Sequence, residues 1–375
     1  MARNGVRDMA KKTVVVGISG GVDSSVAAYL LKKDYNVIGL FMRNWDSFAN
    51  GELNAENNQN ICPQEIDYND AKMVCEKLDI PLHRVDFVKE YWDDVFTYFL
   101  DELKKGRTPN PDLFCNKYIK FDKFIKEAKR LGADYIATGH YARLENGKLL
   151  RGKDLNKDQT YFLAQVPLKN FENVLFPIGD MNKDEVRKIA KELDLVTATK
   201  KDSTGICFIG ERNYQRFIKN FLKPNPGDIV DIDSGLVIGT HQGLMNYTIG
   251  QRRNVGISGN KEKHYVVGKN VEKNILYVAF GENPKTLYSN KALISNINLL
   301  TNKKIEKCTA KFRYRSKDIE VLIERVDDDK LFVKYPSLAK GVTPGQACVL
   351  YDGEVCLGSG IIDEIYLDDK KLTYL

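Results

Sequence analysis

Apolar residues in the first 140 positions of the chain fall into two alternating patterns. Thr13 to Ser19 (TVVVGIS) is a β-branched run that stops at glycines, the form of a strand buried in a parallel sheet. Val22 to Lys33 follows with apolar residues at helical spacing. Asn36 to Met42 (NVIGLFM) predicts a second strand, Asp70 to Leu78 a helix, and Leu82 to Asp86 a third strand. Tyr118 to Leu131 (YIKFDKFIKEAKRL) predicts a basic amphipathic helix, and Asp134 to Thr138 (DYIAT) a further strand. Strands separated by helices predict an α/β domain, a parallel sheet with helices on both faces. From Asp228 onward the period changes to two. Ile319 to Ile323 (IEVLI), Leu331 to Tyr335 (LFVKY) and Ala347 to Tyr351 (ACVLY) predict antiparallel strands. The expected organisation is a disordered leader over 1–12, an α/β domain over 13–215, a small central domain over 216–285 and an antiparallel β-barrel over 286–375.

Composition narrows the class without naming a chemistry. At 375 residues, 43% apolar and 29% charged, the chain has the make-up of a globular protein with two or three domains. It holds no run of about 18 apolar residues, so no membrane span is expected. Met1 to Lys12 is polar and basic and lacks the apolar segment of a secretory signal. Seven scattered cysteines without such a signal predict reduced thiols and a cytoplasmic location. The absence of any CxxC and the wide spacing of His83, His140, His241 and His264 argue against a structural zinc site. The net charge of +6 permits a local nucleic-acid patch and is equally that of an ordinary, slightly basic protein.

The first segment with chemistry is Gly17-Ile18-Ser19-Gly20-Gly21-Val22-Asp23-Ser24, between the first strand and the first helix. Glycines let the backbone turn tightly, and a helix N-terminus presents N–H groups that suit a phosphate. Asp23 is placed to cap the helix or to hold a magnesium ion. The segment lacks the lysine of a GxxxxGK[ST] loop and the spacing of GxGxxG. The plainer reading is a helix start whose glycines serve only the turn. The second segment, Asn110-Pro111-Asp112-Leu113-Phe114-Cys115, puts a cysteine behind a proline-stiffened turn, with Asp112 three residues earlier on the same helix face. Lys117 and the helix start would favour its thiolate, and Asp112 would move protons. Cys207 stands in a glycine-flanked loop. Cys75, Cys308, Cys348 and Cys356 read as small core residues, the usual fate of a free cysteine.

These segments, taken together, resemble a known family. SGGVDS is similar to the signature of the ATP pyrophosphatases of the PP-loop superfamily, with an adenine nucleotide α-hydrolase-like domain. NPDLFCNKYIKF and STGICFIG, with TGHYAR (138–143), KDQTYFL (157–163), YTIGQRR (247–253) and PGQACVLYDGEVCLG (344–358), resemble the tRNA-specific 2-thiouridylases over nearly the whole chain.

The resemblance implies ATP with Mg2+ at Gly17 to Ser24, Asp23 being the candidate metal ligand, with Met42 and Gly139 lining the adenine pocket. It implies that Cys115 is a nucleophile and that Cys207 carries a persulfide received from a cysteine desulfurase or sulfur-relay protein. Asn110, Pro111 and Asp112 would contact the target base. His140, Lys157, Asp158, Gln159, Arg313, Tyr314 and Gln346 would touch tRNA. The implied reaction adenylates the 2-oxygen of a wobble uridine and replaces it with sulfur, leaving the two cysteines as a disulfide for a reductant to reopen. Two other readings stay open: a different adenylating ATP pyrophosphatase, and a tRNA-binding protein whose nucleotide loop is not catalytic.

Overall fold

The computed structural model describes residues 11–47, 50, 62–202, 214–257 and 262–374. The leader and the segment carrying Cys207 therefore lie outside the described residues, apart from Lys11 and Lys12. The β-branched run becomes β1 (Thr13–Gly17), flanked by β2 (Asn36–Arg43) and β4 (Tyr135–Ala137), with β3 (Leu82–Asp86) and β7 (Val174–Leu175) at the edges. The order is β3-β2-β1-β4-β7 and every pairing is parallel.

Alternation along β1 shows how both faces are covered. Val14 and Val16 pack with Val26 and Ala27 of α1 (Val22–Lys32) and Val74 of α2 (Pro63–Lys77). Val15 points the other way, into a cluster with Cys115, Ile119, Phe121 and Phe124. The chain leaves β1 toward β2 on one side and later returns as β4 on the other. The ends of β1 and β4 thus form the crevice at which such sheets bind ligands.

Two differences from the sequence pattern have physical causes. Helix α2 begins at Pro63, seven residues before the expected start. Proline is suited to the first helical position, and the polar run behind it carries little apolar periodicity. The basic helix is not one uniform element. A turn at Pro111–Phe114 passes into a π-helix over Cys115–Lys123, broken at Phe121 (φ −114, ψ 21), before regular helix resumes over Phe124–Arg130. Such wide turns are uncommon and concentrate at functional sites.

The central unit is a four-stranded sheet, β10-β11-β8-β9, of β8 (Gly227–Asp231), β9 (Val237–His241), β10 (His264–Asn270) and β11 (Ile275–Phe280). Only the β11–β8 pairing is parallel. The C-terminal unit is a closed antiparallel barrel of β12 (Tyr288–Leu299), β13 (Lys307–Lys311), β14 (Ile319–Arg325), β15 (Leu331–Lys340), β16 (Ala347–Asp352) and β17 (Val355–Leu367). Strand β12 pairs with both β15 and β17, which removes the open edges. The hairpin of β5 (Ala142–Glu145) and β6 (Lys148–Arg151), from the α/β domain, extends the barrel sheet through Leu150 opposite Val355. Arg151 fixes this junction, 2.8 Å from Asp318 and 3.7 Å above the Tyr351 ring.

Ile294 and Ile362 face each other in the closing ladder, and both are wholly buried in the barrel core. Removing three buried carbons leaves a cavity in a closed core. Ile362→Ala is therefore expected to cost about 2–5 kcal/mol and Ile362→Val about 0.5–1.5 kcal/mol, read from urea unfolding of the barrel transition.

Candidate active site

The loop after β1 continues the sheet for one bond, Ile18 N–H to Leu40 O, and then turns into α1. Gly21 caps the helix and no side chain satisfies the first-turn N–H groups, which leaves donors at the positive end of the helix dipole. The hydroxyls of Ser24 and Ser25 both donate to Gly21 O, at 3.0 and 2.8 Å, and the Ser24 oxygen lies 3.2 Å from Ser19 N. Lys200 braces the same turn by donating to Gly20 O at 2.9 Å while pairing with Asp67 and Asp70 of α2. Gly139, just past β4, approaches so closely that a Cβ there would sit 2.7 Å from Ser24 N. Met42 is half-buried near the end of β2. The expected nucleotide residues thus gather at the carboxyl ends of β1, β2 and β4.

Asp23 is already engaged. Its two oxygens lie 2.7 and 2.8 Å from Lys183 Nζ, and Tyr141 donates its hydroxyl to the same carboxylate at 2.8 Å. Burial, reinforced by Asp23, pushes the Tyr141 phenol well above its ordinary range, so it stays a donor. Lys183 also reaches Asp202 at 2.8 Å, and Lys157 and Arg187 converge there at 2.6 and 2.7 Å. Burial works against the charged Asp202, but hydrogen bonds from Lys157 and Lys183 prevail and hold it at about 2. A metal ion on the Asp23 oxygens would have to displace Lys183. The residues fit an anion better than a cation, because three side-chain cations face two carboxylates beside a helix N-terminus.

The cysteine turn is built from its own sequence. Asn110 accepts from Asp112 N at 3.2 Å and caps the turn, with Pro111 at the first helical position. Cys115 opens the π-helix and is wholly buried in the cluster on the Val15 face. Asn116 donates to Asp112 O and Phe162 O, at 3.0 and 3.1 Å. Lys117, expected to favour the thiolate, turns instead to Gln165 at 3.4 Å, and burial lowers its own pKa.

Several residues expected on tRNA are occupied inside the protein. Asp158 is 3% exposed and accepts from Gly152 N, Thr160 N and the Thr160 hydroxyl. His140 is buried between Phe121 and Phe176 with Thr138 Oγ1 2.7 Å from its Nδ1; burial, then Lys120, keeps the ring neutral. Arg313 places one guanidinium nitrogen 2.6–2.7 Å from Ile249 O, Gly341 O and Thr343 Oγ1, joining the central sheet to the barrel. Tyr314 packs on Phe162. Gln159 exchanges two hydrogen bonds with the Tyr141 backbone, both 2.9 Å, and so aims Tyr141 at Asp23. Gln346 donates to Thr108 O at 2.7 Å, and Thr108 N donates to Pro344 O at 3.0 Å, so the barrel grips the residue two before Asn110. The half-buried Lys157 is held by Asp202.

Sequence reasoning missed Lys183, Lys200, Arg187, Tyr141 and Asp202 as site residues. Tyr141 sits inside TGHYAR, and Asp202 directly precedes STGICFIG. Lys183 and Arg187 share one helix turn, and only the fold shows what they face. The four cysteines read as core residues are all buried, and burial pushes Cys75 up to about 11 and Cys308 and Cys356 up to about 12. Cys62 is also buried, beside Ser47. No group of metal-ligating side chains is found among the described residues.

Comparison with known proteins matches the three units in order. Residues 12–211 match the model described as tRNA methyl transferase HUP domain, 215–280 the tRNA methyl transferase PRC-barrel domain, and 289–362 the aminomethyltransferase beta-barrel domain. A tRNA-specific 2-thiouridylase MnmA of Mycoplasmopsis synoviae is 58% identical over 97% of this chain and 99% of its own. The chain belongs to the tRNA-specific 2-thiouridylase family. A Geobacillus kaustophilus member is 56% identical over 97% of this chain and 98% of its own, and one from Staphylococcus carnosus 52% over 96% and 98%. The solved structure of NMN synthetase from Francisella tularensis aligns over 52% of this chain and 67% of its own, at 17% identity and TM-score 0.31, too slight a likeness to carry a conclusion.

Two outcomes follow from this geometry. Gly139→Ala is expected to weaken ATP binding at least about tenfold, because the new methyl displaces the first turn of α1; calorimetric titration with an ATP analogue checks it. At pH 8 the thiols of Cys75, Cys308 and Cys356 remain protonated, so iodoacetamide is expected to leave them unmodified in the folded protein, as read by peptide mass spectrometry.

Proposed function

We propose that this protein is a tRNA-uridine 2-sulfurtransferase that forms 2-thiouridine in tRNA at the expense of ATP. The observation that carries the reading is a match to curated 2-thiouridylases along 97% of the chain, in a fold whose phosphate loop and cysteine turn are both intact. The family-model descriptions name methyl transfer, but relatives 52–58% identical over nearly the whole chain are named for thiolation, and two motif-bound cysteines suit sulfur chemistry better than methyl donation.

ATP, when bound, supplies the adenylyl group that turns the uridine 2-oxygen into a leaving group. The loop Gly17 to Ser24 and the N-terminus of α1 hold its phosphates, and Gly139 keeps the floor of the crevice flat. Met42 flanks the base. Lys183 and Lys200 offset phosphate charge near the loop. Mg2+ bound with ATP would offset phosphate charge, and Asp23 would hold it only if Lys183 gave way. Asn110, Pro111 and Asp112 meet the target uridine, and Asp112 exchanges protons there.

Sulfur arrives on Cys207 as a persulfide, from a cysteine desulfurase or a relay protein. Two routes complete the exchange. In one, the outer sulfur of Cys207 attacks the activated carbon and displaces AMP, and the Cys115 thiolate then attacks Cys207 Sγ, breaking the S–S bond so that the sulfur stays on the base. In the other, the Cys115 thiolate attacks Cys207 Sγ, forming the disulfide and freeing hydrosulfide, which displaces AMP. Either route ends with Cys115 and Cys207 joined, and a reductant returns them to thiols. The reaction takes place in the cytoplasm. A wobble base in an anticodon loop leaves its stack at modest cost, which makes it a fitting target.

Incubation with unmodified tRNA, Mg·ATP and a persulfide source, followed by nucleoside mass spectrometry, is expected to yield 2-thiouridine and pyrophosphate. Cys115→Ala and Cys207→Ala are each expected to lower the 2-thiouridine yield by more than about 100-fold while ATP binding is retained. Full activity in Cys207→Ser would favour an adenylating enzyme without sulfur relay, and tRNA affinity without pyrophosphate release a binding protein.

A further inference from the structure

Lys183 stands where electrostatics disfavours a lysine. It is the first residue of the helix Lys183–Glu192, at the positive end of the dipole, in a turn that also holds Asp184 and Glu185. Its backbone is fixed by the capping box of Asn182 and Glu185 and by its own N–H donating to Asp154 at 3.1 Å. Its side chain is only 10% exposed. An ammonium has three N–H donors. Three carboxylate oxygens surround this one: two of Asp23, at 2.7 and 2.8 Å, and one of Asp202, at 2.8 Å.

We propose that Lys183 is a positioning residue that couples the nucleotide loop to Asp202 through one saturated ammonium. The inference rests on the nucleotide reading of the Gly17–Ser24 loop and adds a partner to it. Because every donor is used, a phosphate oxygen arriving beside α1 gains Lys183 only if a carboxylate oxygen gives up its bond. Asp23 is also bound by Tyr141, and Asp202 by Lys157 and Arg187, so each keeps partners when Lys183 shifts. Lys157 and Arg187 pair with Asp202, and among the described residues neither pairs with Asp23. Lys183 alone among the described ion pairs joins the two carboxylates. Asp202 is the last described residue before the segment that carries Cys207. The occupancy of the phosphate loop is thus felt where that segment departs.

The coupling predicts a direction. Removing the Asp202 charge frees one Lys183 donor for phosphate, so nucleotide binds more tightly. The test is a double-mutant cycle on the full chain, with affinity for α,β-methylene ATP measured by calorimetry. Asp202→Asn is expected to tighten binding at least about fourfold in the parent and less than about twofold in a Lys183→Met background. Lys183→Arg is expected to restore the larger effect. Lys183→Gln, which keeps a hydrogen-bond donor for Asp23, serves the same comparison if the methionine variant does not fold. Equal tightening with and without Lys183 would show a field effect of the lost charge and overturn the proposal, as would no tightening in the parent. Parent chain that binds the analogue and shows the cycle but makes no 2-thiouridine would sink the sulfur-transfer reading and leave this coupling standing.

Discussion

Everything in the candidate site depends on one close approach, that of the backbone after β4 to the first turn of α1. A Cβ at position 139 would lie 2.7 Å from Ser24 N, so only glycine lets the crevice close at its floor, at the point where strand order reverses. That contact makes the loop after β1 a rigid cradle. It also orders the next residues: His140 is driven inward against Phe121, and Tyr141 is carried to Asp23. Phe121 lies in the same helical run as Cys115. The nucleotide crevice and the cysteine turn are therefore connected through packed rings.

The barrel acts on the same turn from the opposite side. Pro344 and Gln346 hold Thr108 by both its N–H and its carbonyl, two residues before the Asn110 cap. A short turn bounded by a fixed residue at one end and a π-helix at the other has little freedom to wander. Arg313 extends the arrangement by tying the central sheet to the barrel loop that leads to Thr343. One hydrophobic cluster holds Leu113 and Cys115 together with Ala347, Val349 and Ile361 of the barrel strands, so the α/β domain and the barrel meet at the strip between Thr108 and Cys115. Gln346, expected at an RNA surface, is among the residues whose hydrogen bonds hold that strip.

Much of this fold is legible in the sequence because its signals are local. The β-branched run of β1, the glycines after it and the period-two pattern of the barrel each depend on neighbours within a few positions. The early start of α2 was not legible, since a polar first turn carries no periodicity to detect. Nor was the π-helix at Cys115, because 3.6-residue spacing over Tyr118 to Leu131 reads the same whether or not one turn is widened. Site residues divide the same way. Gly17 to Ser24, Asn110 and Cys115 announce themselves by motif. Lys183 and Lys200 do not, for each reaches partners more than 100 positions away, and no pattern along the chain encodes that distance.

The charges around Asp23 set what a nucleotide meets at the helix start. Asp23 shares one ammonium, that of Lys183, with Asp202. What such a pair offers a nucleotide is a cation held in reserve. Phosphate brings negative charge, Lys183 can turn to it, and Asp202 keeps Lys157 and Arg187 when it does. A buried carboxylate left alone would be costly, so the redundancy of cations on Asp202 is what allows the exchange to happen without breaking the site. The surplus of positive partners is thus a condition for the loop to respond to its ligand, and not an accident of a mildly basic chain.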